Sequence, residues 1–333
     1  MISGASANSD LVVDGTTVTE TVANTYNGPT TITNGGTLIA NALGALPLSP
    51  RSAVSFTGSG NPTLNLGASQ EVASLSSSTT SAVVNLSATG TNTLTVGAAS
   101  GTTTFTGSIG GTSGNLIKDG ASTQVLTGTN NTFTGTTTVS AGTLEVQGSL
   151  SGTTGVTVNT GGTLLMNSAA SDIVKTTATV AMAGGTLAFG NAANQTQNLG
   201  AMTLTANSTL DFGASGGNDK FLFAGFVHTA GTLAITNWVG NAAGGTDGTD
   251  DRLMFTGLAS DFTTSFAQSD ISFNGANGYA AITFGADFEI VPITAVPEPT
   301  TTALIGSIAL CALIGYRERR RFTGFGKRTA ARK

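Results

Sequence analysis

One cysteine, one histidine and one tryptophan stand among 333 residues, and only 9% of the positions are charged. The single cysteine, Cys311, excludes an intramolecular disulfide framework and a four-cysteine metal site. It lies inside an apolar run, where it reads as a small membrane-helix residue, with lipidation as the alternative. The single histidine, His228, would have to serve any Ser-His-Asp triad. Charge is absent altogether from Val72 to Ile117. Disorder encoded by composition needs high charge and low hydrophobicity, so these residues are not a solvated random segment. Leu, Glu, Lys and Arg on a helical period are missing too, which excludes a helical bundle. Basic residues before position 297 are five (Arg51, Lys118, Lys175, Lys220, Arg252) against sixteen acidic ones, a net of −11. Residues 297–333 carry a net of +6. An acidic main body argues against a nucleic-acid partner, which demands a basic face; the basic end suits anionic lipid headgroups.

What fills the chain is Gly, Thr, Ser, Ala and Asn, interleaved with Val, Leu, Ile and Phe. Alternation of β-branched or aromatic residues with small polar ones, broken by glycine, predicts short strands and turns. A Gly-Thr-Leu motif or a close variant recurs at Gly36-Thr37-Leu38, Gly142-Thr143-Leu144, Gly162-Thr163-Leu164, Gly185-Thr186-Leu187, Ser208-Thr209-Leu210 and Gly231-Thr232-Leu233. From Thr143 onward the threonines are 20, 23, 23 and 23 residues apart. Weaker members are Thr63-Leu64, Thr93-Leu94, Val125-Leu126 and Leu253-Met254. A period of about 20–25 residues is the mark of stacked coils, each unable to close a core alone. The expectation is an all-β chain: a right-handed parallel β-helix of about a dozen rungs over residues 1–289, followed by a single C-terminal transmembrane helix. A β-sandwich array is the alternative. Phe255, Phe262, Phe266, Phe273, Phe284 and Phe288 concentrate aromatics in the last rungs, so about 246–289 is expected to cap the column.

The run Asn130-Asn131-Thr132-Phe133-Thr134-Gly135-Thr136-Thr137-Thr138-Val139-Ser140-Ala141-Gly142-Thr143-Leu144-Glu145-Val146 resembles the autotransporter-associated β-strand repeat. So does its lead-in, Leu116-Ile117-Lys118-Asp119-Gly120 through Val125-Leu126-Thr127-Gly128. A second copy runs from Asn24-Thr25-Tyr26-Asn27-Gly28 to Gly36-Thr37-Leu38, with one extra residue before Thr37. The resemblance implies rungs of a β-helical passenger on a bacterial surface. The C-terminal membrane barrel of an autotransporter is not recognisable here, so the tail implies another route of export and anchoring.

That tail has three parts: Pro297-Glu298-Pro299, the uncharged apolar run 300–316, and a basic cluster of Arg317, Arg319, Arg320 and Arg321. The prolines forbid a continuing helix. Seventeen residues at ~1.5 Å each reach ~26 Å, near the lower limit for crossing a hydrocarbon core. Arginines directly behind the run place that end, 317–333, in the cytoplasm. The order of parts resembles the PEP-CTERM sorting signal. The resemblance implies an exosortase, a membrane-embedded cysteine-type transpeptidase, as partner and cleavage near the motif. Phe322 to Lys333 extend past the point where members of that family usually stop; an ordinary tail anchor or a buried apolar helix is the alternative. Residues 290–299 form a linker carrying the motif. Met1 to Asp10 show neither a basic n-region nor an apolar h-region, so an envelope destination implies a start upstream of residue 1, with a fragment or processed form as the alternative.

Three places in the sequence are candidates for chemistry. Asp247, Asp250 and Asp251 in a glycine-rich turn suit calcium, but repeat-type calcium motifs stack successive copies and one is present, which favours a plain acidic turn. Gly213-Ala214-Ser215-Gly216-Gly217 spells Gly-x-Ser-x-Gly with Asp219 and His228 downstream, yet a glycine-rich continuation is a poor helix start for a nucleophile elbow. Asp172 and Asp211 are expected on different rungs, and Lys and Arg are too few for a sugar-acid cleft. No catalytic residue, metal or cofactor is expected. The function expected is that of an exported, non-enzymatic cell-envelope protein. It would be structural or adhesive in a surface layer, biofilm or extracellular matrix, anchored in the inner membrane before processing. Its partners would be extracellular polysaccharide or neighbouring surface proteins. A β-helical polysaccharide lyase or glycoside hydrolase is the alternative.

Overall fold

The computed structural model describes residues 9–293 apart from 87–90, 99, 193 and 245–248. The sorting motif, the apolar run and the arginines fall outside this range. Among the described residues no helix is long and apolar enough to cross a membrane.

The chain winds into a parallel β-solenoid of about ten turns. Strands of three to five residues fall on three faces, called I, II and III here. Face I begins with Leu11–Asp14, Thr30–Thr33, Ala53–Thr57 and Ser74–Ser77, paired in parallel. A second parallel ladder of eight continues it, from Thr102–Phe105 to Ile271–Phe273. Face II holds five parallel strands from Thr17–Glu20 to Ser108–Gly110, and later Thr196–Leu199, Lys220–Phe223 and Arg252–Thr256. Face III is an eight-strand parallel ladder from Gln70–Val72 to Phe226–His228. The first two turns lack a strand on face III, and residues 21–29 and 41–52 cross that side as irregular chain. Chain spent there, and in the antiparallel end of the molecule, explains why the turns number about ten and not a dozen.

Alternation on a pleated strand sends every second side chain inward, and parallel register stacks like on like. Leu144, Leu164, Leu187, Leu210 and Ile235 form one inward column on face I, each at most 1% exposed. Outward from them stand Thr143, Thr163, Thr186 and Thr209 in register. The last motif slips. Thr209 pairs with Ala234 and Ser208 with Leu233, so Thr232 lies before the strand and Leu233 takes an inward place. The other copies do not share one face: Thr37-Leu38 and Thr63-Leu64 pair on face II, Thr93-Leu94 is on face III, and Leu253-Met254 is on face II again. Gly-Thr-Leu thus marks the start of a strand after a tight corner, irrespective of face. At Gly142 the corner needs a positive φ of 63°, a region where glycine pays no Cβ penalty.

Where a ladder is interrupted, a buried glutamine mends it. Gln124 Nε2 donates to Leu75 O at 2.9 Å while its Oε1 accepts from Leu75 N at 3.2 Å. This spans the break between the two ladders of face I. Gln197 does the same to Val174 on face II, at 2.9 and 3.1 Å. A primary amide carries the same donor and acceptor pair as a peptide group, so it can stand in for a missing strand neighbour.

On face II parallel stacking ends at Arg252–Thr256, against which Asp287–Pro292 pairs antiparallel. Helix α1 (Ala259–Ser265) packs beside this edge. Phe223, Phe255 and Phe288 stack at centroid distances of 5.4 and 5.7 Å, and Phe262 and Tyr279 close over them. The last inward column is therefore covered by rings, not left open to water.

Candidate functional site

The two repeat segments are where sequence and geometry coincide most closely. Asn24, Tyr26 and Thr30 of the first copy correspond to Asn131, Phe133 and Thr137 of the second. All six are buried, none above 4% exposed. Asn131 sits at a corner and completes three backbone bonds: Oδ1 accepts from Ile109 N at 2.8 Å, and Nδ2 donates to Gly128 O and Ser149 O at 2.9 and 2.8 Å. Asn24 Nδ2 likewise donates to the following turn, at Ala45 O, 2.9 Å, and to Glu20 Oε2 at 3.0 Å. The threonines pair with hydroxyls of the following turn, Thr30 with Ser52 at 2.8 Å and Thr137 with Thr153 at 3.0 Å. Each copy thus clamps its neighbouring coil through groups that the sequence places at fixed offsets.

The copies are not superposed along the axis. Leu11–Asp14 to Thr17–Glu20 of the first turns from face I to face II. The matching step of the second, Asn115–Lys118 to Thr123–Leu126, turns from face III to face I. The module keeps its internal geometry but is rotated by one face around the solenoid.

Lys118 is the residue that sequence reasoning missed. Its inward column reads Val96, Lys118, Val139, Val158, Met182, and it is 1% exposed. The stem fills a valine-type position while Nζ reaches the carbonyls of Asp119, Gly120 and Ala141 at 2.6, 2.8 and 3.2 Å. Burial pushes its ammonium below the ordinary lysine range, and Asp119 offsets part of that. The available signal was Asp119-Gly120 directly behind the strand, whose tight corner (Gly120 φ 66°) turns carbonyls back toward it. Lys118→Met, which refills the column, is expected to cost within about 2 kcal/mol, whereas Lys118→Ala leaves a cavity and costs ~2–5 kcal/mol. Denaturation midpoints of the two variants check the order.

The other candidates are dispersed. Ser215 Oγ donates to Asp219, but His228 is occupied elsewhere: Nδ1 faces Ser265 O at 2.8 Å and Nε2 faces Gly231 O at 2.9 Å. The Gly-x-Ser-x-Gly run is followed by strand Lys220–Phe223, not by a helix. Asp172 accepts from Asn198 Nδ2 at 2.9 Å and Asp211 from Asn237 Nδ2 at 2.7 Å, each on its own face. Asp14 with Asn34 at 2.9 Å and Glu145 with Asn167 at 2.7 Å follow the same rule. In-register stacking would set like charges against each other, and an amide in the next coil relieves that. Of the acidic turn, Asp247 lies outside the described residues and Asp250 accepts from Asn241 Nδ2 at 2.7 Å. Asp251 is 1% exposed, with both carboxylate oxygens taken by backbone N–H groups of Asp219 (2.9 Å) and Val239 (2.8 Å). Among the described residues no three His, Cys, Asp or Glu side chains gather into a metal site.

Fold and corners together define a parallel β-solenoid assembled from repeat modules that clamp consecutive coils. Residues 14–40 and 116–146 match the family model of the passenger-associated-transport-repeat, in agreement with the autotransporter-type repeats read in the sequence. No curated protein and no solved structure matches the chain.

Proposed function

We propose that this chain is an exported cell-envelope protein whose solenoid has a structural or adhesive role in a surface layer, biofilm or extracellular matrix. In this reading residues 297–321 are a PEP-CTERM-type sorting signal read by an exosortase, and residues 300–316 hold the protein in the inner membrane until processing. The observation that carries the proposal is the pair of passenger-type modules, each of which fastens one coil to the next in one continuous solenoid. A fold that gains its stability by repetition needs no disulfides outside the cell, which suits a chain with one cysteine. Its polar faces of Thr, Ser and Asn, with acids paired to amides, would meet extracellular polysaccharide or neighbouring surface proteins through many weak contacts.

The test is the intact mass of the envelope-associated protein, expressed from its full gene in its native host. Loss of everything after about Pro299 is the expected result. A mass that retains Arg317 to Lys333 would overturn the sorting assignment and leave a simple membrane anchor.

A further inference from the structure

We propose that His228 is a protonation latch that fastens helix α1 to the end of the solenoid. The ring lies between hydrogen-bond acceptors on both of its nitrogen edges. Nδ1 faces the carbonyl of Ser265, the last residue of α1, at 2.8 Å. Nε2 faces the carbonyl of Gly231, in the connection to the next coil, at 2.9 Å. A carbonyl oxygen only accepts, and a neutral imidazole has one N–H, so both contacts are hydrogen bonds only when both ring nitrogens carry a proton. Asp270 Oδ2 stands 3.9 Å from Nδ1. The ring is stacked on Phe266, with centroids 4.3 Å apart and planes 5° from parallel, an arrangement that favours a cation over a π face. Ser265 O belongs to the carboxyl end of α1, where the backbone dipoles add further negative potential.

The surroundings supply no competing cation. Strand Phe226–His228, its neighbour Met202–Ala206, residues 229–232, α1 and the turn Gln268–Asp270 contain no Lys or Arg. The acidic groups on these elements are Asp270 and, in the first turn of α1, Asp261. Tyr279 reaches in from the antiparallel end, its hydroxyl donating to Phe266 O at 2.7 Å.

Histidine changes charge within the pH range that separates mildly acidic from neutral surroundings. When His228 loses a proton, one ring nitrogen presents a lone pair to a carbonyl, and that contact becomes repulsive. Either α1 or the 229–232 connection must then let go. The consequence is local: with the ring neutral, α1 and the turn after it loosen while the coils before them stay closed. The device lies at the end of the solenoid from which the chain runs on to residue 294 and beyond.

His228 is the only histidine, so its ring nitrogens are read in the full chain without assignment ambiguity. At pH 5.5 both are expected to be protonated and hydrogen-bonded in nitrogen-detected spectra. Hydrogen exchange of residues 259–270, corrected for intrinsic rate, is expected to quicken about tenfold or more between pH 5.5 and 8, in line with loss of one charge-assisted bond. His228→Lys, a cation across this range, should retain protection at pH 8. His228→Gln should lose the pH dependence. Wild-type exchange that is equal at both pH values, or a singly protonated ring at pH 5.5, would overturn the latch.

Discussion

Asn131→Ala is expected to destabilise the middle coils by about 3–6 kcal/mol, because three buried backbone groups lose their partner at once. Ile109 N–H would have no acceptor, and the carbonyls of Gly128 and Ser149 would lose a donor. The site is fully buried, so water does not replace the amide without opening the corner. Asn131→Asp is expected to be no better, since a carboxylate would face two carbonyls. In a solenoid each coil touches only its neighbours, so the loss should be local. Hydrogen exchange of Ile109 and of residues 128–150 is expected to quicken by orders of magnitude, with the aromatic end near Phe255 and Phe288 unaffected. Equal protection in the variant would show that the corner is held by something other than the amide. Asn24→Ala is expected to act on the first turns instead, where Asn24 Nδ2 donates to Ala45 O and Glu20 Oε2.

That contrast shows what the sequence can and cannot disclose. The period, the strand chemistry and the corner glycines are local properties, and they are legible because each rung must satisfy its own turn and its own inward alternation. The face on which a rung starts is not local. Gly36-Thr37-Leu38 and Gly142-Thr143-Leu144 read alike, yet one opens a strand of face II and the other a strand of face I. The difference lies in residues 41–72, where the coil acquires its third face. Nothing in the motif encodes it. The slip at Thr232 is similar: pairing shifts by two residues, which keeps Leu233 and Ile235 inward and leaves Thr232 before the strand, and nothing in the motif encodes the shift.

Polar residues inside the column were harder still. Lys118, Gln124 and Gln197 are polar, yet alternation from Leu116, Leu126 and Leu199 puts them inside, and each is at most 2% exposed. Each satisfies backbone groups that become unpaired only once the coils are stacked, so the reason for its burial is tertiary. The pairing of Asp172 with Asn198 and Asp211 with Asn237 is of the same kind. The partners lie 26 residues apart and meet only through register.

Asp251 should make the C-terminal coils more stable in mild acid than at alkaline pH, the reverse of an ordinary paired carboxylate. Its carboxyl is pushed up to about 7, chiefly by burial. The N–H groups of Asp219 and Val239 pull it down, and the nearby Asp219 and Asp250 carboxylates add to the rise. A group whose folded value lies above its unfolded one favours the folded state while protonated. The stabilisation is complete below about pH 4, fades as pH climbs toward 7, and is gone above that. From 3.8 to about 7, at about 1.4 kcal/mol per unit, the swing is about 4 kcal/mol. Asp219 is raised by burial as well and adds in the same direction. Trp238 is the only tryptophan, and its indole N–H donates to Asp251 O at 2.9 Å, so urea unfolding followed by its fluorescence reports this corner directly. The midpoint is expected to fall between pH 4.5 and 7.5. Asp251→Asn should flatten most of that slope while lowering the whole curve, because one amide oxygen cannot accept from both Asp219 N–H and Val239 N–H; an unpaired buried N–H costs ~1–3 kcal/mol. Any slope left in Asp251→Asn and removed by adding His228→Lys belongs to the latch. A midpoint that rises with pH would mean that the backbone N–H groups hold Asp251 ionised despite its burial, and that this corner is an ordinary anionic cap.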